Sequence, residues 1–263
     1  MAAPPRECRA VVVATRALAP AILEADLRTE DPPALTFAAG QWISVPFGPK
    51  TVRAYSIAST PRSPSVITLS ADVTPGGPGS RWFRELAPGI AVTFKGPLGG
   101  FVFDRADARH PLFVAEEIGI VPIRAMLRDL DERGVARATT LVYWARDPGW
   151  LVYDEDFRRL AGRRPSFSYR PIVGASLAAA VAAAADEILA TRGGEIPGGR
   201  GGPGFTPGPE RGGAWGDRLG PPMYVAPPMA YVAGGAATIA AAREVLMARG
   251  LDRKSIKWEK FYG

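Results

Sequence analysis

Two short segments gather groups that could hold a charged ligand with a flat ring. Arg53-Ala54-Tyr55-Ser56-Ile57-Ala58-Ser59 sets a cation, an aromatic face and a hydroxyl side by side at the end of a β-like run, with Arg53 and Ser56 on opposite faces of a regular strand. Gly76-Gly77-Pro78-Gly79-Ser80 is a glycine-rich turn feeding a helix, and the exposed N–H groups and dipole of a helix N-terminus favour phosphate. Together they could hold a dinucleotide. Taken singly, each has a plainer reading: glycine-rich turns are common, and Tyr55 would suit a core.

The elements that must position these groups come in two textures. Short β-like runs at 9–14, 21–27, 42–45, 52–58, 66–71 and 90–95 alternate with turn signals, and Ile67, Leu69 and Ala71 alternate with Val66, Thr68 and Ser70 in the period of a half-buried strand. Six such strands and one helix near 80–86 predict an antiparallel barrel, because closure removes exposed edges. From Pro111 the pattern becomes strand, helix, strand, helix. Runs at 112–115, 139–144, 167–173 and 229–232 read as buried strands, and Ile123, Met126, Leu127 and Leu130 recur at helical spacing after Pro122. Further helices are expected at 150–160, 176–190 and 237–248, which makes this half a doubly wound α/β parallel sheet. The boundary falls near 105–110, giving domains 1–107 and 108–263. The stretch 193–222 holds 12 glycines and 6 prolines and is expected to be a mobile insert.

Composition narrows the chemistry. Of 263 residues 47% are hydrophobic and 22% charged, enough to bury a core. One cysteine, Cys8, and one histidine, His110, leave no four-thiolate zinc site, internal disulfide or iron–sulfur cluster, and both residues are expected to be structural. No signal-peptide pattern is present and the longest apolar run, 177–185, is too short for a membrane span, so a cytoplasmic protein is expected. The net charge of +6 is spread among acidic residues without a nucleic-acid-binding motif. An acidic protein partner fits its sign.

The ordered motifs resemble those of the ferredoxin-NADP(+) reductase family. Its R-x-Y-S matches Arg53, Tyr55 and Ser56; its glycine-rich turn matches Gly77 to Ser80; its G-P-x-G-x-F matches Gly96, Pro97, Gly99 and Phe101. Ala145-Arg146-Asp147 with Leu151-Val152-Tyr153 and Phe157 is similar to its second nucleotide-domain strand and following helix, and Trp258 to Gly263 is similar to its C-terminal ending. The resemblance implies a six-stranded Greek-key barrel that binds FAD, followed by an NAD(P)-binding-like domain. It implies that Arg53 pairs with the FAD pyrophosphate, that Tyr55 stacks on the flavin and that Ser56 bonds near its N5. Gly77, Gly79 and Ser80 would hold the pyrophosphate, Phe261 would cover the other flavin face, and Glu259 would stand near the ring as a proton-relay or acceptor-facing carboxylate. Ser56, Glu259 and Phe261 are thus the catalytic candidates. A polar terminal strand with one buried ring is the plain alternative for the last two.

The second nucleotide site departs from the family's G-G-T-G-I-A-P. Here the chain reads Glu116-Glu117-Ile118-Gly119-Ile120-Val121-Pro122, and Ala233-Gly234 stands where the family has Cys-Gly. Gly119 survives as a nucleotide-binding candidate. Arg146 could meet a 2′-phosphate, whereas Asp147 could bind a free 2′-hydroxyl. A carboxylate about 4 Å from a phosphate repels it by up to about 4 kcal/mol at an effective dielectric near 20. Glu116 and Glu117 must therefore turn away, be neutralised by Arg124 or Arg146, or merely cap the following helix. The resemblance implies a FAD-dependent oxidoreductase passing electrons between a pyridine nucleotide and a separate one-electron carrier or oxygenase. A flavin-binding electron-transfer or scaffold subunit that does not use NAD(P)H in the usual way is the alternative.

Overall fold

A computed structural model describes residues 4–190 and 227–261; the expected insert at 193–222 lies outside the described residues. The first sheet comprises β1 (Arg6–Ala19), β2 (Ile22–Asp31), β3 (Trp42–Pro46), β4 (Val52–Ser56), β5 (Val66–Asp72) and β6 (Ala91–Leu98), with α1 (Pro78–Glu85) between β5 and β6. Its strands run antiparallel in the order β4-β3-β6-β1-β2-β5. An Ile57–Leu69 bridge and a 2.8 Å bond from Ala58 N to Thr68 O join β4 back to β5, closing the barrel. Alternating side chains fill it: Cys8, Ala10 and Val12 from β1, Ala25 and Leu27 from β2, Ile67 and Leu69 from β5. Strand β1 runs well past the expected 9–14, because three irregularities in its pairing with β2 bend the long ribbon around the barrel.

The second sheet comprises β7 (Pro111–Glu116), β8 (Thr139–Ala145), β9 (Phe167–Val173), β10 (Met229–Gly234) and β11 (Ile256–Lys260). All neighbours are parallel, in the order β11-β10-β7-β8-β9. The direction of winding reverses between β7 and β10. Helices α2 (Ile120–Glu132) and α3 (Asp154–Arg163) cover one face, packing with Phe113, Tyr143 and Tyr231. Helices α4 (Leu177–Ala190) and α5 (Ala236–Met247) cover the other, over Leu112, Val114, Val142 and Val232. Strands buried on both faces read as continuous apolar runs, and for that reason they are visible in the sequence.

One expectation needs correction. The helix expected over 150–160 starts instead at Asp154, because Tyr153 adopts a left-handed φ of 63° and separates the helix from the turn at 148–150. The terminal segment adds a fifth parallel strand, β11, on the β10 edge.

Barrel and sheet share a core. Ile22, Ala39, Ala58 and Phe101 from the barrel side pack with Phe113, Ile123 and Met126. A side chain on Gly40, whose φ is +97°, would strike Phe101 O at 2.1 Å. Buried polar groups reinforce the seam. The Tyr153 hydroxyl donates to Glu24 and lies 2.7 Å from Ser70 Oγ, Ser70 itself donates to Glu24 at 3.0 Å, and Arg124 donates to Ala58 O at 3.1 Å.

Candidate functional site

A cleft of about 900 Å³ lies where barrel and second sheet meet. Its barrel wall is the run Arg53 to Ser56 at the end of β4, with Trp42 beside it because β3 pairs Trp42 with Ser56. The start of α1 supplies Gly77, Gly79 and Ser80, and the end of β5 supplies Ser70, Ala71 and Asp72. From the second sheet come Ile118, after β7, and Glu259, Lys260 and Phe261 at the end of β11. Eight of the ten candidate residues therefore converge: Arg53, Tyr55, Ser56, Gly77, Gly79, Ser80, Glu259 and Phe261.

Local rules explain the placement. Pro78 occupies the first turn of α1 and Gly77 its N-cap, without a capping side chain. A Cβ on Gly79 would lie 2.7 Å from the Tyr55 hydroxyl and 3.1 Å from Arg53 Cγ, so only glycine lets this helix turn approach β4. Tyr55 is only 8% exposed and packs with Trp82 and Phe83 at ring separations of 5.3 and 5.6 Å. It is both a core aromatic and part of the cleft wall, so the two readings of Tyr55 are compatible. Burial pushes its phenol up to about 12, with Arg53 opposing.

Glu259 is brought to Ser56 across 203 residues of chain, and the Ser56 hydroxyl donates to Oε2 at 3.4 Å. Burial raises this carboxyl from its ordinary 4.5 to about 7, the Ser56 bond pulling it partly back. Phe261 is anchored by a 2.9 Å bond from its N–H to Gly234 O. The terminal strand is thus polar and half-buried, as its plain reading had it, and also lines the cleft.

Gly119 and Arg146 are not among the residues lining the cleft; they follow the carboxyl ends of β7 and β8. A Cβ on Gly119 would sit 2.4 Å from Ala233 O, so the glycine serves close packing against β10. Arg146 stacks on Trp150 at 4.1 Å and binds the Glu117 carboxylate through its backbone N–H and guanidinium. Glu116 accepts a 2.6 Å bond from Gly235 N. Neither acid caps α2, whose N-terminus has no side-chain cap, and the neutralising partner of Glu117 is Arg146, since Arg124 turns to Ala58 O and Asp156. His110 bonds Thr140 at 3.0 Å and Cys8 is buried in the barrel, its thiol pushed up by that burial.

Sequence reasoning missed Trp42, Ser70 and Asp72 as wall residues. The β3–β4 register that sets Trp42 beside Ser56 has no local signal. Ser70 and Asp72 sit at the end of a strand that was itself legible.

A closed antiparallel barrel is thus joined at this cleft to a doubly wound parallel sheet. Residues 10–103 match the family model described as Oxidoreductase FAD-binding domain. Ferredoxin--NADP reductase B of Sorangium cellulosum (strain So ce56) is 35% identical over 162 residues, 60% of this chain and 66% of that protein. The phenol 2-monooxygenase reductase component DmpP of Pseudomonas sp. (strain CF600) is 33% identical over 170 residues, 64% of this chain and 48% of that protein. The chain thus spans just under two thirds of the first relative and about half of the second. A solved ferredoxin reductase in carbazole 1,9a-dioxygenase shares the fold with a TM-score of 0.73 at 23% identity, covering 100% of this chain and 71% of that one. Residues 10–103 thus match a FAD-binding oxidoreductase domain, and the chain is similar to ferredoxin-NADP reductases and to reductase components of oxygenases.

Proposed function

We propose that the chain is a FAD-dependent oxidoreductase that passes electrons between a pyridine nucleotide and a separate one-electron carrier or oxygenase component. The observation that carries this reading is the convergence of Arg53 to Ser56, Gly77 to Ser80 and Glu259 to Phe261 on one cleft. Its volume is within the usual range for small-molecule sites, and its lining combines a guanidinium, close-packed glycines and aromatic rings, a set that fits FAD. Bound FAD would supply two-electron uptake and one-electron release. Arg53, Gly77, Gly79 and Ser80 would hold its pyrophosphate, and Tyr55 and Phe261 would bracket the ring. Ser56 would hold the ring edge. Near neutral pH Glu259 is divided between acid and carboxylate, so it can hold or release a proton at Oε2 beside the Ser56 hydroxyl. Residues 1–107 would form the FAD domain and 108–263 the nucleotide domain, in which Gly119 and Arg146 are the candidates for nucleotide contact.

The acceptor in this reading is an acidic partner, not a nucleic acid. Trp258 on β11 is 49% exposed, with Lys260 on the same strand at the cleft wall. No helix among the described residues is long and apolar enough to cross a membrane. A cytoplasmic location is part of the proposal.

A second reading, an electron-transfer subunit that does not use NAD(P)H in the usual way, is favoured by the engagement of Glu116 and Glu117 with the groups nearest the second site. Anaerobic mixing separates the two. The purified protein is expected to be yellow, to bleach with NADH or NADPH, and then to pass electrons to an added carrier. Flavin that bleaches only with dithionite supports the subunit, and a colourless protein that gains no thermal stability from FAD refutes both.

A further inference from the structure

In a doubly wound sheet, ligands bind outside the carboxyl ends of the strands where the winding reverses, which here means between β7 and β10. Two groups near that crevice could receive a phosphate: the Gly235 N–H ahead of α5 and the Arg146 guanidinium. Each is already held by a carboxylate from the segment leaving β7. Glu116 Oε2 accepts from Gly235 N at 2.6 Å, and Glu117 Oε1 accepts from Arg146 Nε at 2.6 Å and from Arg146 N at 3.2 Å.

The backbone around them cannot easily retreat. Gly119 is pressed against Ala233 O, and the Tyr143 hydroxyl bonds both Glu117 O at 3.2 Å and Trp150 O at 3.1 Å. Glu117 is buried at a φ of +45°, a strained conformation for a non-glycine residue, and its ion pair with Arg146 holds it there. The Glu116 side chain lies over bare backbone: a Cβ on Gly234 would come within 2.8 Å of both its Cβ and its Oε2. Glu116 is only half-buried, so rotation of that one side chain is the movement that frees the Gly235 amide.

We propose that Glu116 is a specificity-determining residue that acts as an internal competitor: its carboxylate occupies the Gly235 amide that a dinucleotide phosphate would use, while Glu117 occupies Arg146. A pyridine dinucleotide then enters only by displacing Glu116. The inference rests on the reading of the chain as a nucleotide-dependent flavin reductase. It deepens that reading by naming the residue that sets how tightly the donor is held.

The test uses the FAD-loaded protein and its Glu116→Ala and Glu116→Gln variants, titrated calorimetrically with NADH, NADPH and ADP-ribose. ADP-ribose carries the diphosphate without the nicotinamide. Alanine removes the competitor, so all three ligands should bind at least tenfold more tightly. Glutamine removes only the charge and should fall between. FAD content and a cooperative melt check each variant, and the isosteric glutamine keeps the test open should alanine fail to fold. Affinities equal within twofold across the three proteins overturn the inference. If the nucleotides still bind and bleach the flavin in that case, the functional reading stands without it. Absence of binding to every protein overturns both the inference and the pyridine-nucleotide half of the reading.

Discussion

Replacing Tyr153 by Phe tests whether the seam between barrel and second sheet depends on one hydroxyl. Burial pushes this phenol far above its ordinary range, so at neutral pH it is a donor, and it donates to Glu24, which is 2% exposed. Ser70 and Arg16 also bind Glu24, so the variant does not leave that carboxylate unpaired. The larger penalty of an isolated buried charge, about 3–5 kcal/mol, is therefore avoided. The phenyl ring stays beneath the Arg124 guanidinium, 4.1 Å away, so packing and the cation–π contact are kept. The loss is one hydrogen bond to a charged group, about 1.5–3 kcal/mol. In a protein of this size about 2 kcal/mol corresponds to a fall in Tm of roughly 4–8 °C. Calorimetry on the FAD-loaded protein measures it, with a double-mutant cycle against Glu24→Gln to isolate the pair. A Tyr153→Phe melt within about 1 °C of the parent, or a cycle additive within about 0.3 kcal/mol, would refute the reasoning.

Two further outcomes follow from the cleft. Because Glu259 has a pKa of about 7 in the fold against an ordinary 4.5, the folded state keeps a proton that the unfolded chain releases between those values. Stability should therefore fall as pH rises from 4.5 to 7, by up to about 3 kcal/mol, and chemical denaturation should show this slope flattened in Glu259→Gln. Gly79→Ala would drive a methyl group to 2.7 Å from the Tyr55 hydroxyl, and direct titration should show FAD affinity weakened at least about tenfold, the equivalent of 1.4 kcal/mol; unchanged affinity would show that α1 shifts freely.

The two textures of the chain were legible because each is a hydrophobic period repeated over many residues. Ile67, Leu69 and Ala71 line up one face of β5, and Leu112 to Ala115 are buried on both sides. What the sequence concealed were features with no repeat to reveal them. Tyr153 breaks a helical pattern by a single dihedral angle, in exchange for partners more than 80 residues away in the barrel. The acids at 116 and 117 stood out as departures and Arg146 was one of two partners expected for them, but the Gly235 amide that holds Glu116 could not be read from spacing. Arg53, Tyr55 and Ser56 were easier, because one strand carries all three.

The contact between Ser56 and Glu259 also sets an order of events in time. The barrel wall of the cleft is assembled largely from neighbouring antiparallel strands, which need short loops to close. Its other wall exists only after β11 has docked beside β10 and the second sheet has met the barrel, a contact between Ser56 and Glu259 that spans 203 residues of chain. Long-range pairings of this kind form slowly because the loop entropy is lost before any contact repays it. During refolding, the barrel should become structured first and the cleft should be completed last. The rate at which flavin is captured would then report on the arrival of the terminal strand rather than on the folding of the barrel, which carries most of the residues proposed to hold the flavin.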